Sequence, residues 1–217
     1  MRIFLDTADV EAIREYADMG LVDGVTTNPT LLAREGRDPA EAMAEIAGIV
    51  DGPVSLEVVA TDHAGMVTEG LRLREHGKNV VVKCPMTADG LKACRELTRQ
   101  AIPVNVTLVF SASQAILAAK AGARYISPFI GRIDDTSHDG MGLVEDIIAS
   151  LENYDYGARV LVASVRHPMH VVEAAKLGAD VVTLPPAVLG KMIRHPLTDI
   201  GLQTFLDDWE KLKSGSG

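Results

Sequence analysis

The chain is 217 residues long, with 47% hydrophobic and 24% charged residues, which is typical of a single globular domain with a sizeable core. Its formal net charge of −9 argues against nucleic-acid binding by bulk electrostatic attraction, although a local basic pocket could still bind a small anion. No stretch approaches ~20 uninterrupted apolar residues and the N-terminus lacks a signal-peptide core, so we expect no membrane partner and a cytoplasmic location.

Short runs rich in β-branched residues recur along the chain and predict eight strands. In chain order they are residues 2–6, 24–28, 54–59, 80–84, 104–110, 125–130, 159–164 and 181–184. The segments between them have apolar residues spaced about 3.6 positions apart, which predicts helices. Four of these helices end near a glycine that we interpret as a C-terminal cap: Gly20, Gly77, Gly122 and Gly178.

The alternation of strand and helix predicts an α/β fold with parallel strands and outer helices. About eight such units is the number in a (β/α)8 TIM barrel. A doubly wound open sheet is the alternative, but it usually has a Gly-rich turn after its first strand, where this chain has "LDTAD" (residues 5–9). We therefore predict a single TIM-barrel domain over residues 1–213 and a disordered tail at 214–217.

The segment "DIGLQTFLDDWEKLK" (residues 199–213) predicts an amphipathic C-terminal helix. Its large apolar residues fall largely along one helical face: Ile200, Leu202, Phe205, Leu206, Trp209 and Leu212. Two interpretations fit this face. The helix either lies across the barrel's own surface or docks on a neighbouring subunit.

Polar side chains interrupt the apolar pattern near the ends of the predicted strands. In a TIM barrel, catalytic groups lie at the C-terminal strand ends, and side chains two residues apart on a strand share a face. This rule pairs Asn105 with Thr107, Ser127 with Phe129, and Ser164 with Arg166. It turns the neighbouring apolar side chains toward the helices: Val104, Val106, Leu108, Ala163 and Val165.

Four more polar residues lie at or near strand ends: Asp6, Asn28, Glu57 and Lys83. Each also has a structural explanation. Asp6 or Thr7 could cap the helix that starts near residue 8, Asn28 could form the turn before a proline, and Glu57 could face solvent. Because nearly every strand loses its apolar pattern at the same level, we interpret the set as one site.

The stretch "VVVKCP" (residues 80–85) places a lysine at the end of a run built for burial. Burial disfavours the ammonium form and favours the neutral amine, which is a nucleophile that forms Schiff bases with carbonyl groups. A carboxyl group must then move protons as carbon–carbon bonds break and form, and Asp6 and Glu57 are candidates. Arg132 and Arg166 are candidates to bind an anionic end of the substrate.

Six stretches together resemble the transaldolase family, and most closely its short branch, which also contains the fructose-6-phosphate aldolases. They are "FLDTAD", "GVTTNPT", "VVKCPMT", "NVTLVFS", "SPFIGRIDD" and "ASVRHP". The resemblance implies a transaldolase of the pentose phosphate pathway that uses a class I mechanism without metal or cofactor. Its donors would be fructose 6-phosphate or sedoheptulose 7-phosphate, and its acceptors erythrose 4-phosphate or glyceraldehyde 3-phosphate.

The resemblance also implies catalytic roles. Lys83 would form the Schiff base at C2 of the ketose phosphate, and Asp6 would transfer the proton for cleavage between C3 and C4. Glu57 and Thr107 would hold a catalytic water. The dihydroxyacetone unit would be held by Asn28, Asn105 and Ser127, and the phosphate by Arg132, Ser164 and Arg166.

Two positions separate the branches of this family. The aldolases resemble this chain except for a glutamine at the position of Glu57 and a tyrosine at the position of Phe129. The chain therefore resembles the transaldolases, in which the enamine is kept for transfer, and fructose-6-phosphate aldolase is the alternative. The resemblance further implies a homo-oligomer, a pentamer or decamer assembled through the terminal helix.

Other functions are compatible with parts of the pattern. A sugar-phosphate isomerase on the same barrel would use a carboxylate base and no covalent lysine, and a phosphate-binding barrel would do no chemistry. The stretches "HPMH" (167–170) and "DDTSHD" (134–139) contain metal-ligand residue types, but neither completes a ligand set, so we predict no metal. We predict that Cys84 and Cys94 are reduced thiols, with Cys84 turned away from the lysine.

Overall fold

The computed structural model describes residues 1–214 and contains a closed eight-stranded barrel. The strands are β1 (Arg2–Asp6), β2 (Gly24–Thr26), β3 (Val54–Glu57), β4 (Val80–Pro85), β5 (Val104–Val109), β6 (Tyr125–Pro128), β7 (Arg159–Val162) and β8 (Val181–Leu184). Neighbouring strands pair in parallel, and β8 pairs with β1 to close the sheet. The predicted TIM barrel is confirmed, and the open-sheet alternative is wrong.

Helices follow the strands, and most of them cover the outside of the barrel. They are α1 (Val10–Asp18), α2 (Pro29–Arg34), α3 (Pro39–Ile49), α4 (His63–Arg74), α5 (Ala88–Arg99), α6 (Ala112–Ala121), α7 (Ile130–Asp134), α8 (Gly140–Glu152), α9 (Pro168–Lys176), α10 (Pro186–Ile193) and α11 (Pro196–Ser214). Many begin at a polar residue whose side chain accepts a hydrogen bond from the first turn, as Asp9 does for α1, Asp38 for α3 and Ser111 for α6. These local caps explain where those helices start.

Two apolar regions lie on opposite faces of the strands. The larger one fills the space between barrel and helices and contains Val82, Cys84 and Val106. The smaller one, which we name the apolar floor, fills the N-terminal part of the barrel interior. It consists of Phe4, Val81, Tyr125, Leu161 and Val181, with Ala163 packed against it on the cavity side. Because side chains alternate along a strand, the interior face of β4 carries a floor residue and then the predicted lysine.

Several strands end earlier than the sequence predicts. β2 stops at Thr26 because Asn28 caps α2 and Pro29 occupies its first turn. Four other strands also end one or two residues before their predicted ends, at Glu57, Val109, Pro128 and Val162. β4 instead runs one residue further, to Pro85. Residues that form loops and helix caps thus end these strands earlier than their β-propensity alone indicates.

Left-handed backbone breaks the alternation at two residues. Leu108 has φ 59° at a point where the β5–β6 register shifts, and it lines the open mouth of the barrel. Ser164 has φ 62° and follows Ala163, which packs inside the barrel with Leu161. The predictions that Leu108 and Ala163 face the helices are therefore wrong.

Three of the four predicted glycine caps are confirmed. Gly20, Gly122 and Gly178 have φ of 70°, 96° and 81°, in the left-handed region that favours glycine. Gly77 does not lie in that region, and α4 ends three residues before it. A Cβ at Gly77 would lie 2.7 Å from Asn79 Oδ1, so close packing rather than capping explains this glycine.

The terminal helix α11 does not pack on its own barrel. None of residues 196–214 is buried, and the exposed fraction of Phe205 is 74%. The interpretation in which this helix lies across the barrel's surface is therefore wrong. The helix includes Ser214, and the rest of the predicted tail lies outside the described residues. Within residues 1–214, no helix has both the length and the apolar character needed to cross a bilayer.

Candidate active site

A cavity of about 720 Å³ opens at the C-terminal ends of the strands. Its wall contains every residue that the sequence predicts for the site: Asp6, Asn28, Glu57, Lys83, Asn105, Thr107, Ser127, Phe129, Arg132, Ser164 and Arg166. They come from the ends of seven strands and the loops and helix that follow them. A closed parallel barrel explains this convergence, because all of its strands end at the same rim.

Lys83 is buried near the end of β4, with 5% of its surface exposed. Its Nζ donates a hydrogen bond to the Thr27 carbonyl oxygen at 3.0 Å and lies 3.0 Å from Glu57 Oε2. Glu57 is its register partner on β3, so the sheet itself sets this ion pair. The sequence places this lysine at the end of an apolar run, but two oxygen atoms hold its amine. Glu57 therefore lies within reach of the ammonium proton.

Asp6 lies at the end of β1, and its Oδ1 accepts a hydrogen bond from Thr26 Oγ1 at 2.7 Å. Thr183 Oγ1 lies 2.7 Å from the same Thr26 oxygen, which it supplies with a hydrogen. Desolvation raises the pKa of the Asp6 carboxyl, although the charge of Lys83 and the Thr26 hydrogen bond oppose the shift. Asp9, not Asp6, caps α1, so the helix-cap explanation is wrong.

Buried hydroxyl and amide groups line the cavity between β3 and β6. Ser127 Oγ donates to Asn105 Oδ1 at 2.8 Å, and Asn105 Nδ2 donates to Ser55 Oγ at 3.3 Å. Beside them, Thr107 Oγ1 is buried and has no hydrogen-bond partner among residues 1–214. Such atoms are uncommon in folded proteins. This hydroxyl is thus available to a small polar group inside the cavity.

Asn28 contributes both to the backbone and to the cavity wall. Its Oδ1 accepts a hydrogen bond from the Leu31 N–H at 3.0 Å and caps α2, which is the structural role expected from its place before a proline. The cap uses only the side-chain oxygen. The side-chain amide NH2 is left as a donor for a ligand in the cavity.

Arg132, Ser164 and Arg166 form what we name the anion subsite, on the β6 and β7 side of the cavity. The Arg132 guanidinium lies over the Phe129 ring, 5.0 Å from its centroid. Arg166 Nη2 lies 2.9 Å from Asp135 Oδ2 in an exposed ion pair. One arginine is thus stacked on an aromatic ring, and the other is paired with a carboxylate.

Gly131 lets α7 approach the loop that carries the anion subsite. Its N–H donates to the Ser164 carbonyl oxygen at 3.1 Å. A Cβ at this position would overlap that oxygen and lie 2.5 Å from Arg166 Nε. Close packing at this one glycine therefore brings the two cationic segments together.

The sequence analysis missed two buried hydroxyl residues of the cavity wall, Thr26 and Thr183. It also missed Ser55, which is not part of the wall but accepts a hydrogen bond from Asn105. A spacing of two residues along a strand, which puts side chains on the same face, finds all three of these residues. Thr26 lies two positions before Asn28, Ser55 two before Glu57, and Thr183 two after the floor residue Val181. Thr30, Arg34 and Lys191 also line the cavity but belong to helices. No strand periodicity predicts their position.

The remaining candidates from the sequence are the possible metal ligands and the two cysteines. Within residues 1–214, no group of three or more His, Cys, Asp and Glu residues could hold a metal ion. Cys84 packs in the helix-side core, as the sequence predicts. Burial raises the pKa of the thiols of Cys84 and Cys94 to about 12, and both cysteines are free.

Residues 3–215 match the family model described as Transaldolase/Fructose-6-phosphate aldolase. The chain belongs to this family. A probable transaldolase of Nitrosopumilus maritimus is 64% identical over 215 residues, which cover 99% of this chain and 97% of that protein. Probable transaldolases of Geobacter metallireducens and Aquifex aeolicus are each 57% identical over 212 residues, covering 98% of this chain and 99% and 98% of those proteins.

The transaldolase/fructose-6-phosphate aldolase family is the one that the six sequence stretches resemble, so that expectation is confirmed. Among solved structures, a thiamine phosphate pyrophosphorylase from Pyrococcus furiosus matches with a TM-score of 0.59 and 17% sequence identity over 87% of each chain. Identity this low shows a shared fold alone.

Proposed function

We propose that the protein is a transaldolase of the pentose phosphate pathway. It transfers a dihydroxyacetone unit from fructose 6-phosphate or sedoheptulose 7-phosphate to erythrose 4-phosphate or glyceraldehyde 3-phosphate. The observation that carries the proposal is the buried Lys83 amine, 3.0 Å from Glu57 and in a cavity shared with Asp6, whose pKa is raised. A nucleophilic amine with two nearby carboxyl groups is what Schiff-base chemistry requires.

The first step joins Lys83 to the ketose. Glu57 accepts the ammonium proton, and the free amine attacks C2 to form a carbon–nitrogen bond. The former carbonyl oxygen takes up protons and leaves as water, which gives an iminium ion. Glu57 and the unpartnered hydroxyl of Thr107 hold the water that is released here and that later hydrolyses the product iminium.

The second step breaks the bond between C3 and C4. The Asp6 carboxylate takes the proton of the C4 hydroxyl, and C4 becomes the aldehyde carbon of the departing aldose phosphate. The electron pair of the broken bond moves into the iminium, which leaves a three-carbon enamine on Lys83. Attack of this enamine on the acceptor aldehyde reverses the step, and Asp6 returns its proton to the new hydroxyl. A raised pKa suits a carboxyl that both takes and returns a proton.

Fixed polar groups bind the non-reacting parts of the substrate. Asn28, Asn105 and Ser127 hydrogen-bond the hydroxyls of the dihydroxyacetone unit, and the anion subsite binds the phosphate. Arg166 exchanges Asp135 for the phosphate when substrate enters, because a phosphate offers a doubly charged partner with paired oxygens. The stacked guanidinium of Arg132 supplies the second cationic group.

Borohydride trapping tests the covalent step. Reduction in the presence of fructose 6-phosphate should leave a three-carbon adduct on Lys83, found by peptide mass mapping, and none on the exposed Lys92. Turnover without an adduct would point to the isomerase. Sugar-phosphate binding with neither adduct nor turnover would point to a non-catalytic phosphate-binding barrel.

Phe129 supports transfer over the alternative, fructose-6-phosphate aldolase activity. Its ring lines the cavity and offers no hydroxyl that could bring a proton to the enamine, so the intermediate survives until an acceptor arrives. Phe129→Tyr should therefore gain cleavage of fructose 6-phosphate to free dihydroxyacetone. Phe110→Tyr, at the ring that contacts Phe129 edge-to-face, is the matched control. If Phe129→Tyr gains no cleavage, the assignment of transfer to this residue is wrong.

We also propose a cytoplasmic homo-oligomer of five or ten subunits that assembles through α11. The large apolar side chains of this helix are 51–74% exposed in the single chain, and covering them contributes roughly 25 cal/mol per Å² of apolar surface. Light scattering should give a pentamer or decamer, and Phe205→Glu with Trp209→Glu should dissociate it. A wild-type monomer at micromolar concentration would exclude this assembly. Two free thiols fit a reducing compartment.

A further inference from the structure

His170 is a buried polar residue that the proposed chemistry does not use. It lies in the first turn of α9 with 6% of its surface exposed, and it is not part of the cavity wall. Its Nδ1 accepts a hydrogen bond from the Arg166 backbone N–H at 3.3 Å, and its Nε2 lies 3.2 Å from Asp134 Oδ2. Because Nδ1 accepts, the proton is on Nε2 and points to Asp134, which defines a neutral imidazole.

The imidazole joins the two chain segments that carry the anion subsite. Asp134 is the last residue of α7, the helix that contains Arg132. Arg166 lies in the loop between β7 and α9. A hydrogen-bonded bridge therefore runs from the backbone of one subsite arginine, through His170, to the helix that presents the other.

The Asp134 end of this bridge is also fixed. While its Oδ2 faces His170, its Oδ1 accepts a hydrogen bond from the Gly140 N–H at 2.9 Å, at the start of α8. Both carboxylate oxygens are thus engaged, so Asp134 cannot turn toward solvent without losing two contacts. The bridge is anchored at the barrel side and at the helix side.

We propose that His170 is a positioning residue for phosphate binding, which sets the spacing between Arg166 and Arg132 by tying Arg166 to Asp134. The inference rests on the proposed function in that the ligand of the anion subsite is the phosphate of a sugar phosphate. Ordering a loop at each binding event lowers affinity, and a loop that is ordered beforehand avoids that cost. His170 provides this order without touching the substrate.

The bridge requires the neutral form of the imidazole. Protonation would add a hydrogen to Nδ1, directly opposite the Arg166 N–H, and the hydrogen bond would be lost. The charged and titratable groups that face His170 are Asp134 from α7, His167 and Glu173 from the start and body of α9, and Arg166 from the loop. Burial, the largest cause, lowers the pKa of His170 from its usual 6.5, with His167 and Arg166 adding to the shift and the two carboxylates opposing it.

Two substitutions separate the bridge from the space that it occupies. His170→Leu fills the site but can neither accept from Arg166 nor donate to Asp134. His170→Gln offers an oxygen to accept and an NH2 to donate, and it does not titrate. His76→Leu, in the loop before β4 at the opposite end of the barrel, is the matched control.

Sulfate is the probe, because its charge stays constant across the pH range in which imidazole titrates. Calorimetry at about pH 7.5 should give a sulfate Kd that rises roughly three- to tenfold in His170→Leu, which corresponds to one lost hydrogen bond. His170→Gln should restore most of the affinity. From about pH 7.5 to about pH 5.5 the affinity of the wild-type protein should fall more than that of His170→Gln. Borohydride trapping of unphosphorylated dihydroxyacetone on Lys83 should be equal in all variants.

Each other outcome overturns a defined part of the inference. Unchanged sulfate affinity in His170→Leu contradicts the positioning role and leaves the proposed function intact. Parallel loss of sulfate binding and of the dihydroxyacetone adduct indicates a general structural role instead. A wild-type protein that binds no sulfate overturns the anion subsite itself, and this inference with it.

Discussion

The lower and upper halves of the barrel interior come from the same strands yet differ in polarity, charge and hydrogen bonding. On four strands a floor residue is followed, two positions later, by a polar residue of the cavity: Phe4 by Asp6, Val81 by Lys83, Tyr125 by Ser127, and Val181 by Thr183. The floor contains no ionisable group apart from one tyrosine. The level above it contains an ammonium group, two carboxyl groups and several hydroxyls.

This division separates stability from reactivity along each strand. The floor stabilises the fold by burying apolar surface, and it leaves almost no polar atom to satisfy. The level above keeps charged and partly unpaired groups buried, which costs free energy but makes them reactive. Substitutions in the floor should therefore lower stability with little effect on activity. Substitutions in the level above should lower activity with little loss of stability, and the following predictions test both expectations.

The largest effect is expected for Lys83→Met. Removing the amine removes the covalent pathway, so kcat should fall by about 10⁴-fold or more. The melting temperature should change little, because methionine fills the same space and the Glu57 side chain, which is 18% exposed, can be hydrated. A coupled transfer assay and calorimetric scans measure both, with the exposed Lys92→Met as control. Intact turnover in Lys83→Met would exclude Schiff-base chemistry at this residue.

Asp6→Asn should lower kcat by about 10²- to 10⁴-fold, because the proton of the C4 hydroxyl loses its acceptor. The same substitution should raise the stability of the fold at neutral pH. The pKa of Asp6 is raised in the folded chain above its unfolded value of 3.8. Between the unfolded and the folded pKa, the native state therefore holds more protons than the unfolded state. Wild-type stability therefore loses a contribution as pH rises through this window.

The asparagine variant lacks this titration. Urea denaturation should give Asp6→Asn a larger free energy of unfolding than wild type at neutral pH, and the difference should vanish below the unfolded pKa of 3.8. Thr26→Val offers a second check, because loss of the Thr26 hydrogen bond should move the pKa of Asp6 further upward. A stability difference that is independent of pH would contradict the assigned cause.

The sequence predicts the polar level of the interior because side-chain alternation and the position of a strand's end are local properties of each strand. Two features could be predicted without knowing which strands neighbour β4. They are the burial of Lys83, which lies between Val82 and Cys84, and the common level of the polar residues. The left-handed backbone at Leu108 and Ser164 could not be predicted, because it depends on how β5 and the loop after β7 meet adjacent segments. Tertiary contacts decide such points.

The polar partners were also beyond the sequence. Glu57 faces Lys83 only because β3 and β4 pair in one particular register, and Asp135 meets Arg166 across a gap of 31 residues. The two interpretations of α11 stayed open for another reason. Its apolar pattern predicts that a surface covers it, but periodicity carries no information about which surface does so.

In the floor, Phe4→Ala should lower the free energy of unfolding by about 3–5 kcal/mol, because it leaves a cavity beneath the site. Phe4 is fully buried and meets the Tyr125 ring edge-to-face, with centroids 6.1 Å apart. The kcat of the folded fraction should stay within roughly threefold of wild type, since no reacting group moves. Phe4→Leu, which retains most of the volume, is the control. A loss of kcat larger than the loss of folded protein would show that the floor shapes the chemistry directly.

The smallest effect is expected at Cys84, which is adjacent to Lys83 in sequence but lies on the opposite face of β4. With a thiol pKa of about 12, roughly one molecule in 10⁴ carries the thiolate at pH 8, and the side chain is fully buried. Iodoacetamide should therefore leave activity unchanged over hours, while unfolding in urea should expose both cysteines to complete labelling. Cys84→Ala provides the control for any loss of activity that does occur. Rapid labelling of native Cys84 together with inactivation would mean that β4 opens at the level of Lys83, and that the separation of its two faces is not maintained in solution.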